Sequence, residues 1–277
     1  MLRVIAIGIA VAAITAALIP FQWLSVIFRL QTRRVIPVVY HRMLCALLGV
    51  RIQVVGARLT AGPVLVVSNH VSWLDISVLM ALAPMVFVAK SEVASWPLFG
   101  LLAKLNRSVF VDRERRHKTA DANREIAARL AEGDPVVLFA EGTSSDGNRV
   151  LPFRSSLIGA AQEALANGDG GRIFIQPLSV AYVRLDGLPL SRQHRPYVAW
   201  YGAMDLAPHL AEIIRRGAVD VVVSWGEPVA CDRDTDRKAV ARSLEVAVRR
   251  LTTEALRGVR TADAISVERA TIGPGPM

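Results

Sequence analysis

Apolar and polar positions divide the chain into three regimes. From Val4 to Phe28, "VIAIGIAVAAITAALIPFQWLSVIF", no side chain is charged and only Gln22 is strongly polar, a run long enough to cross about 30 Å of hydrocarbon. A second stretch, Val35 to Val50 ("VIPVVYHRMLCALLGV"), mixes basic and apolar residues as a helix on a membrane surface does. Beyond it, short β-branched runs alternate with helix-period windows. Strands are predicted at Val64–Ser68, Val86–Ala89, Ser108–Val111, Val136–Phe139, Phe174–Tyr182 and Val219–Ser224. Helices are predicted near Ile76–Leu82, Trp96–Leu105, Lys118–Glu132, Ser156–Ala166, Leu206–Arg216 and Asp236–Arg257. This alternation predicts an α/β fold: a single domain with a central mixed sheet flanked by helices, preceded by an N-terminal membrane helix or helical hairpin. Residues 1–50 form the anchoring segment, 51–258 the α/β domain, and 259–277, ending "TIGPGPM", a disordered tail.

The apolar N-terminus reads better as an anchor than as a cleaved signal peptide, because the run continues past Pro20 into aromatics. Whether it spans once or dips and returns is open at this level. Arg29, Arg33, Arg34 and Arg42 follow it against Arg3 alone before it. By the positive-inside rule the domain then lies on the cytoplasmic side of the membrane.

Composition adds a constraint on partners. The net charge is +9, and of 33 basic side chains only four are lysine. An arginine excess suits anionic surfaces, whether lipid headgroups, phosphates or nucleic acid. The basic runs "RERRH" and "IIRRG" lack interleaved aromatics, so nucleic acid is not expected. Cys45 and Cys231 have no zinc-like spacing and read as free thiols; no metal is expected.

Candidate chemistry begins at "VVSNHVSWLDISVL", Val66 to Leu79. A buried strand ends at Ser68–Asn69 and a helix follows, which puts His70 on the turn between them, where a rigid scaffold carries function. Asp75 can simply cap that helix. The five-residue spacing also allows its carboxylate to bond one ring nitrogen of His70, fixing the tautomer and leaving the other as a general base. In "RSVFVDRERR", Arg113 follows a strand end, placed for a phosphate or carboxylate. In "VVLFAEGTSSDGNRVLPFR", a strand runs into Glu141, Gly142 and Thr143; a carboxylate there needs donors or a substrate, and Gly142 permits close approach. Pro177 interrupts the strand "FIQPLSVAY", as at an edge, a bulge or a pocket wall. His41, His117, His194 and His209 read as structural or exposed.

Four blocks in this order resemble the glycerolipid or lysophospholipid acyltransferase family: Asn69-His70-Val71-Ser72-Trp73-Leu74-Asp75, Phe110-Val111-Asp112-Arg113, Phe139-Ala140-Glu141-Gly142-Thr143, and Gln176-Pro177-Leu178. The resemblance implies that residues 51–258 are a catalytic domain moving an acyl group from acyl carrier protein or coenzyme A to a membrane lysolipid, with no other cofactor. His70 would deprotonate the acceptor hydroxyl and Asp75 would orient it. Arg113 would hold the headgroup, Glu141, Gly142 and Thr143 would shape its site, and Pro177 would line the acyl pocket. Family members acting on lysophosphatidic acid usually follow Glu-Gly-Thr with arginine, where this chain has Ser144. "FAEGTSSDGNRVLPFRSSL" is more similar to the lyso-ornithine lipid branch, whose acceptor carries a carboxylate instead of a phosphate; lysophosphatidic acid stays as the alternative acceptor. A basic lipid-binding module is the competing reading; with no G-x-S-x-G elbow, a hydrolase is not.

Overall fold

Every residue of Val64–Ser68 (β2) is buried, the mark of a strand in the middle of a sheet that helices cover on both faces. In the computed structural model, which describes residues 1–112, 116–154, 173–232 and 235–258, the other strands are β1 (Val50–Val55), β3 (Val86–Lys90), β4 (Val109–Val111), β5 (Val136–Phe139), β6 (Ile173–Leu185), β7 (Leu188–Pro189), β8 (Val219–Trp225) and β9 (Val229–Cys231). Their order is β1-β8-β6-β2-β5-β3-β4, with β7 and β9 attached to β6. β6, β2, β5, β3 and β4 pair parallel in sequence across the sheet, and β6 pairs antiparallel with β8. The sheet is therefore mixed, as the alternation predicts.

The described helices are α1 (Leu2–Ile27), α2 (Thr32–Leu48), α3 (Leu74–Leu82), α4 (Phe99–Leu105), α5 (Arg116–Ala131), α6 (Leu206–Arg216) and α7 (Arg237–Arg257). Successive side chains of a strand point to opposite faces, and β2 feeds two cores accordingly. Val64 and Val66 pack with Val38 and Leu48 of α2, Leu74 and Val78 of α3, and Ile213 of α6. Leu65 and Val67 pack with Ile126 and Leu130 of α5 and Leu244 of α7. The predicted helix Ser156–Ala166 and the tail from 259 lie outside the described residues.

β1 was not among the predicted strands. α2 ends at Gly49 in the left-handed conformation, φ 75°, which lets the chain reverse out of the helix and start a strand at the next residue. The surface helix expected over Val35–Val50 is α2, but it packs on α3 and buries Pro37, Val38, Cys45 and Leu48; Val35, Val39 and Met43 form its outward face.

α1 and α2 form a hairpin fastened to the α/β body at several points. Near the start of α1, the Arg3 guanidinium fills the space a Cβ on Gly217 would occupy. Near its end, Gln22 donates through Nε2 to the carbonyls of Leu105 (2.8 Å) and Arg33 (3.1 Å). A helix of 26 residues is about 39 Å long, and both of its ends touch the same body. Arg34 pairs with Asp134 at 2.6 Å and Arg33 with Glu132 at 3.2 Å; Arg107 joins both acids. Arg42 donates to the Ala81 carbonyl. Three of the four arginines after the apolar run are thus engaged within the fold.

Candidate active site

β2 delivers the chain to its turn under tight constraint. The side chain of Asn69 bonds the backbone of Val180 in both directions, accepting from its N–H at 2.8 Å and donating to its carbonyl at 2.9 Å. This continues the β2–β6 ladder, which pairs Ser68 with Leu178, one step further through a side chain. His70 follows, its carbonyl accepting from Ser145 N–H at 2.8 Å. The next carbonyl, of Val71, accepts from Trp200 N–H at 2.9 Å.

His70 Nδ1 lies 2.8 Å from Asp75 Oδ2. The same oxygen accepts from the N–H groups of Val71 (2.7 Å) and Ser72 (3.1 Å), while Tyr182 donates its hydroxyl to Oδ1 at 2.7 Å. Asp75 is fully buried. It therefore holds His70 and closes the turn before α3 through the Val71 and Ser72 N–H groups, whereas the N-cap position of α3, Trp73, has no side-chain capping bond. Because the carboxylate accepts at Nδ1, the neutral imidazole carries its proton there and presents Nε2 as the basic atom. Phe139 stacks on the ring at 4.0 Å between centroids and fixes its plane.

Glu141 stands behind this turn. Its Oε1 accepts from His70 N–H at 3.2 Å, and Oε2 is buried, with the Leu151 N–H the other backbone donor near the carboxyl. Burial pushes its pKa up to about 8, against the opposing pull of the His70 N–H. Near neutrality Glu141 is thus mostly protonated. It supports the backbone of His70, whereas Gly142, at φ 74°, and Thr143 and Ser144 line the cavity in front of the ring.

That cavity has a volume of about 820 Å³. His70, Trp73 and Phe139 form part of its wall, Thr15, Leu18, Ile19 and Gln22 of α1 and Tyr40, His41 and Leu44 of α2 another, and Phe99, Leu102 and Ala103 of α4 a third. The hairpin is thus a wall of the site as well as an attachment. His41, read as structural or exposed from sequence, faces the cavity and bonds Ser77 Oγ at 3.2 Å; burial pushes its pKa down to about 4, so it stays neutral.

Of the predicted site residues, the structure brings His70, Asp75, Glu141, Gly142 and Thr143 together. Arg113 lies outside the described residues. Pro177 corrects its expectation, since it is not on the cavity wall. It is buried in β6, opposite Val67 of β2, and its carbonyl accepts from Gly226 N–H at 2.8 Å. Gly226 lies in the break between β8 and β9, so the proline's missing N–H costs no ladder bond to β2. The same contact explains the glycine: a Cβ there would lie 2.8 Å from Pro177 Cγ.

Tyr182, Asn69 and His41 were missed. A signal existed for Tyr182, because a tyrosine two residues after Val180 on a buried strand needs a partner for its hydroxyl. Nothing in the sequence names Asp75 as that partner.

A family model described as Acyltransferase matches residues 51–181. The lyso-ornithine lipid O-acyltransferase of Brucella abortus is 47% identical over 263 residues, covering 95% of this chain and 98% of that protein. That of Rhizobium meliloti is 45% identical over 256 residues, 92% of this chain and 88% of that protein. The 1-acyl-sn-glycerol-3-phosphate acyltransferase of Neisseria gonorrhoeae is 40% identical over 101 residues, 36% of this chain and 40% of that protein. In fold, the chain is similar to the 1-acyl-sn-glycerophosphate (LPA) acyltransferase of Thermotoga maritima: TM-score 0.63 and 19% identity over 94% of this chain and 98% of that one.

Proposed function

The chain belongs to the acyltransferase family and is an acyltransferase, and we propose that it moves a fatty acyl group from a thioester donor to the free hydroxyl of lyso-ornithine lipid, giving ornithine lipid. The observation that carries this reading is a histidine on the wall of an apolar cavity, held through Nδ1 by a buried carboxylate, in a chain similar over nearly its whole length to two lyso-ornithine lipid O-acyltransferases.

His70 Nε2 takes the proton of the acceptor hydroxyl as its oxygen attacks the thioester carbonyl, and returns it to the departing thiolate. The imidazolium formed in between is stabilised by Asp75, whose three other donors hold it in position. No side-chain nucleophile is required, because the acceptor supplies the oxygen and the thioester is already activated. The donor is acyl carrier protein or coenzyme A thioester, and the acyl chain occupies the apolar part of the cavity.

Charge on the cavity wall supports the acceptor. Besides its histidines and tyrosines, the ionisable side chains there among the described residues are Lys90, Glu92 and Asp205. Two carboxylates and one ammonium suit a headgroup carrying both an ammonium and a carboxylate, such as acylated ornithine, better than a phosphate dianion. Ser144, also on the wall, supplies a neutral hydroxyl where the lysophosphatidic acid enzymes usually have arginine. The hairpin, with both ends on one body, supports attachment to a single leaflet of the bacterial inner membrane from the cytoplasmic side.

The test is purified protein with labelled acyl carrier protein and coenzyme A thioesters, assayed in parallel on lyso-ornithine lipid and lysophosphatidic acid. Preferential acylation of lyso-ornithine lipid is expected. Product only from lysophosphatidic acid would assign the other acceptor, and His70→Ala should abolish either activity with the fold intact.

A further inference from the structure

Trp96, Leu98, Phe99 and Leu101 leave large apolar side chains outside the α/β body, with Leu98 51% and Leu101 44% exposed. Single exposed apolar residues need no explanation, but a contiguous patch marks a surface that something covers. The patch is also built at a cost. Leu98 has φ 60° and ψ −55°, a sparsely populated conformation for a residue with a side chain.

The patch continues onto α1. α4 packs against α1, and Gln22 is bonded to the Leu105 carbonyl at the end of α4. Around Gln22 the outward residues of α1 are Phe21, Trp23, Leu24 and Ile27, and Phe28 follows them at its C-cap. Arg29 and Lys104, both exposed, border the two segments with positive charge, which anionic headgroups attract. Tryptophans such as Trp23 and Trp96 favour the level where hydrocarbon meets water. Both segments also wall the cavity that contains His70, through Leu18 and Ile19 on one side and Trp96, Phe99 and Leu102 on the other.

We propose that Trp96–Leu101 is a second membrane-insertion element. It seats the α/β body on the bilayer beside α1, with lipid acyl chains as the occupant of its apolar face. The inference rests on the reading of α1 as a membrane anchor.

The test uses the full chain in phosphatidylglycerol vesicles, with a fluorophore on a single introduced cysteine; the native Cys45 and Cys231 are buried. Labels go to Leu98, to Leu101, to Ile9 on the exposed face of α1, and to Val246, a 66% exposed apolar residue on α7, which packs on the opposite face of the sheet. Lipids carrying a nitroxide on the acyl chain should quench labels at 98 and 101 about as strongly as at 9, and several-fold more than at 246. Quenching at 9 but not at 98 or 101 overturns the second element and leaves the anchor standing. No quenching at 9 overturns the anchor itself. Labels at 98 and 101 shielded from both lipid and aqueous quenchers would mean that a second copy covers the patch, and would also overturn the proposal.

Discussion

Asp75 concentrates four hydrogen bonds on one buried carboxylate, and removing different ones should have different effects. Asp75→Asn puts an amide where only acceptors fit, disfavours the Nδ1–H tautomer of His70, and should lower kcat by about 10²–10⁴. Tyr182→Phe removes one donor and leaves the His70 bond alone. It should cost about 1.5–3 kcal/mol of stability, read by denaturant unfolding, with a much smaller loss of kcat. Equal losses of kcat in the two variants would refute a positioning role centred on the His70–Asp75 bond. Glu141 gives a pH signature. Its folded pKa of about 8 lies above the ordinary value of 4.5, so the unfolded chain releases this proton first as pH rises. The associated stability is present below pH 4.5 and drains away as pH climbs toward 8. Glu141→Gln should flatten that part of the stability profile; an unchanged slope would mean that the carboxyl is not held neutral. His70 and Asp75 were legible in the sequence because five residues and one turn join them. Tyr182 was not, because β6 meets α3 only in the fold.

Elements were legible where burial imposes a period. β2 and β5 appear at their predicted limits, as does α6, which ends at Gly217, whereas β1 hid behind the left-handed turn at Gly49. Attachments between elements left less trace. Arg33 and Arg34 counted in the sequence only as positive-inside charges, and the fold uses them to fasten the hairpin to Asp134 and Glu132, about 100 residues away in sequence, a separation no local pattern reports. Asp134 is the centre of that fastening: its side chain is 5% exposed and holds both Arg34 and Arg107. Asp134→Asn removes one of the two acids that neutralise the 9% exposed Arg107, leaving Glu132. Breaking a buried pair from one side costs about 3–5 kcal/mol, and the remaining Arg107–Glu132 pair together with the partial exposure of Arg34 should hold the effect near the lower end. A drop in thermal stability with the hairpin more open to protease is the expected outcome. Loss of stability below about 1 kcal/mol, the range of exposed pairs, would show that the network is a surface feature.

At the scale of the molecule, the proposed acceptor preference rests on the charge that three separate segments bring to one cavity. Lys90 ends β3 and Glu92 follows it, Ser144 follows β5, and Asp205 precedes α6. Sequence alone exposed one of these, Ser144, because it sits inside a recognisable block; the others gain meaning only when the sheet gathers them around His70. If the wall selects against a phosphate, adding a guanidinium at Ser144 should weaken that selection. Ser144 is only partly buried, so Ser144→Arg has room to extend along the wall. A charge-assisted bond contributes roughly 1.5–3 kcal/mol, and each 1.4 kcal/mol is tenfold. The ratio of kcat/KM for lysophosphatidic acid over lyso-ornithine lipid should therefore rise at least about tenfold. The rise should come mainly through KM for the phosphate acceptor, since the added cation touches the headgroup and not the reacting hydroxyl. Glu92→Gln and Asp205→Asn, which remove negative charge from the same wall, should move the ratio in the same direction by smaller steps. A Ser144→Arg variant that loses activity equally on both acceptors would show that position 144 shapes the cavity without reading headgroup charge.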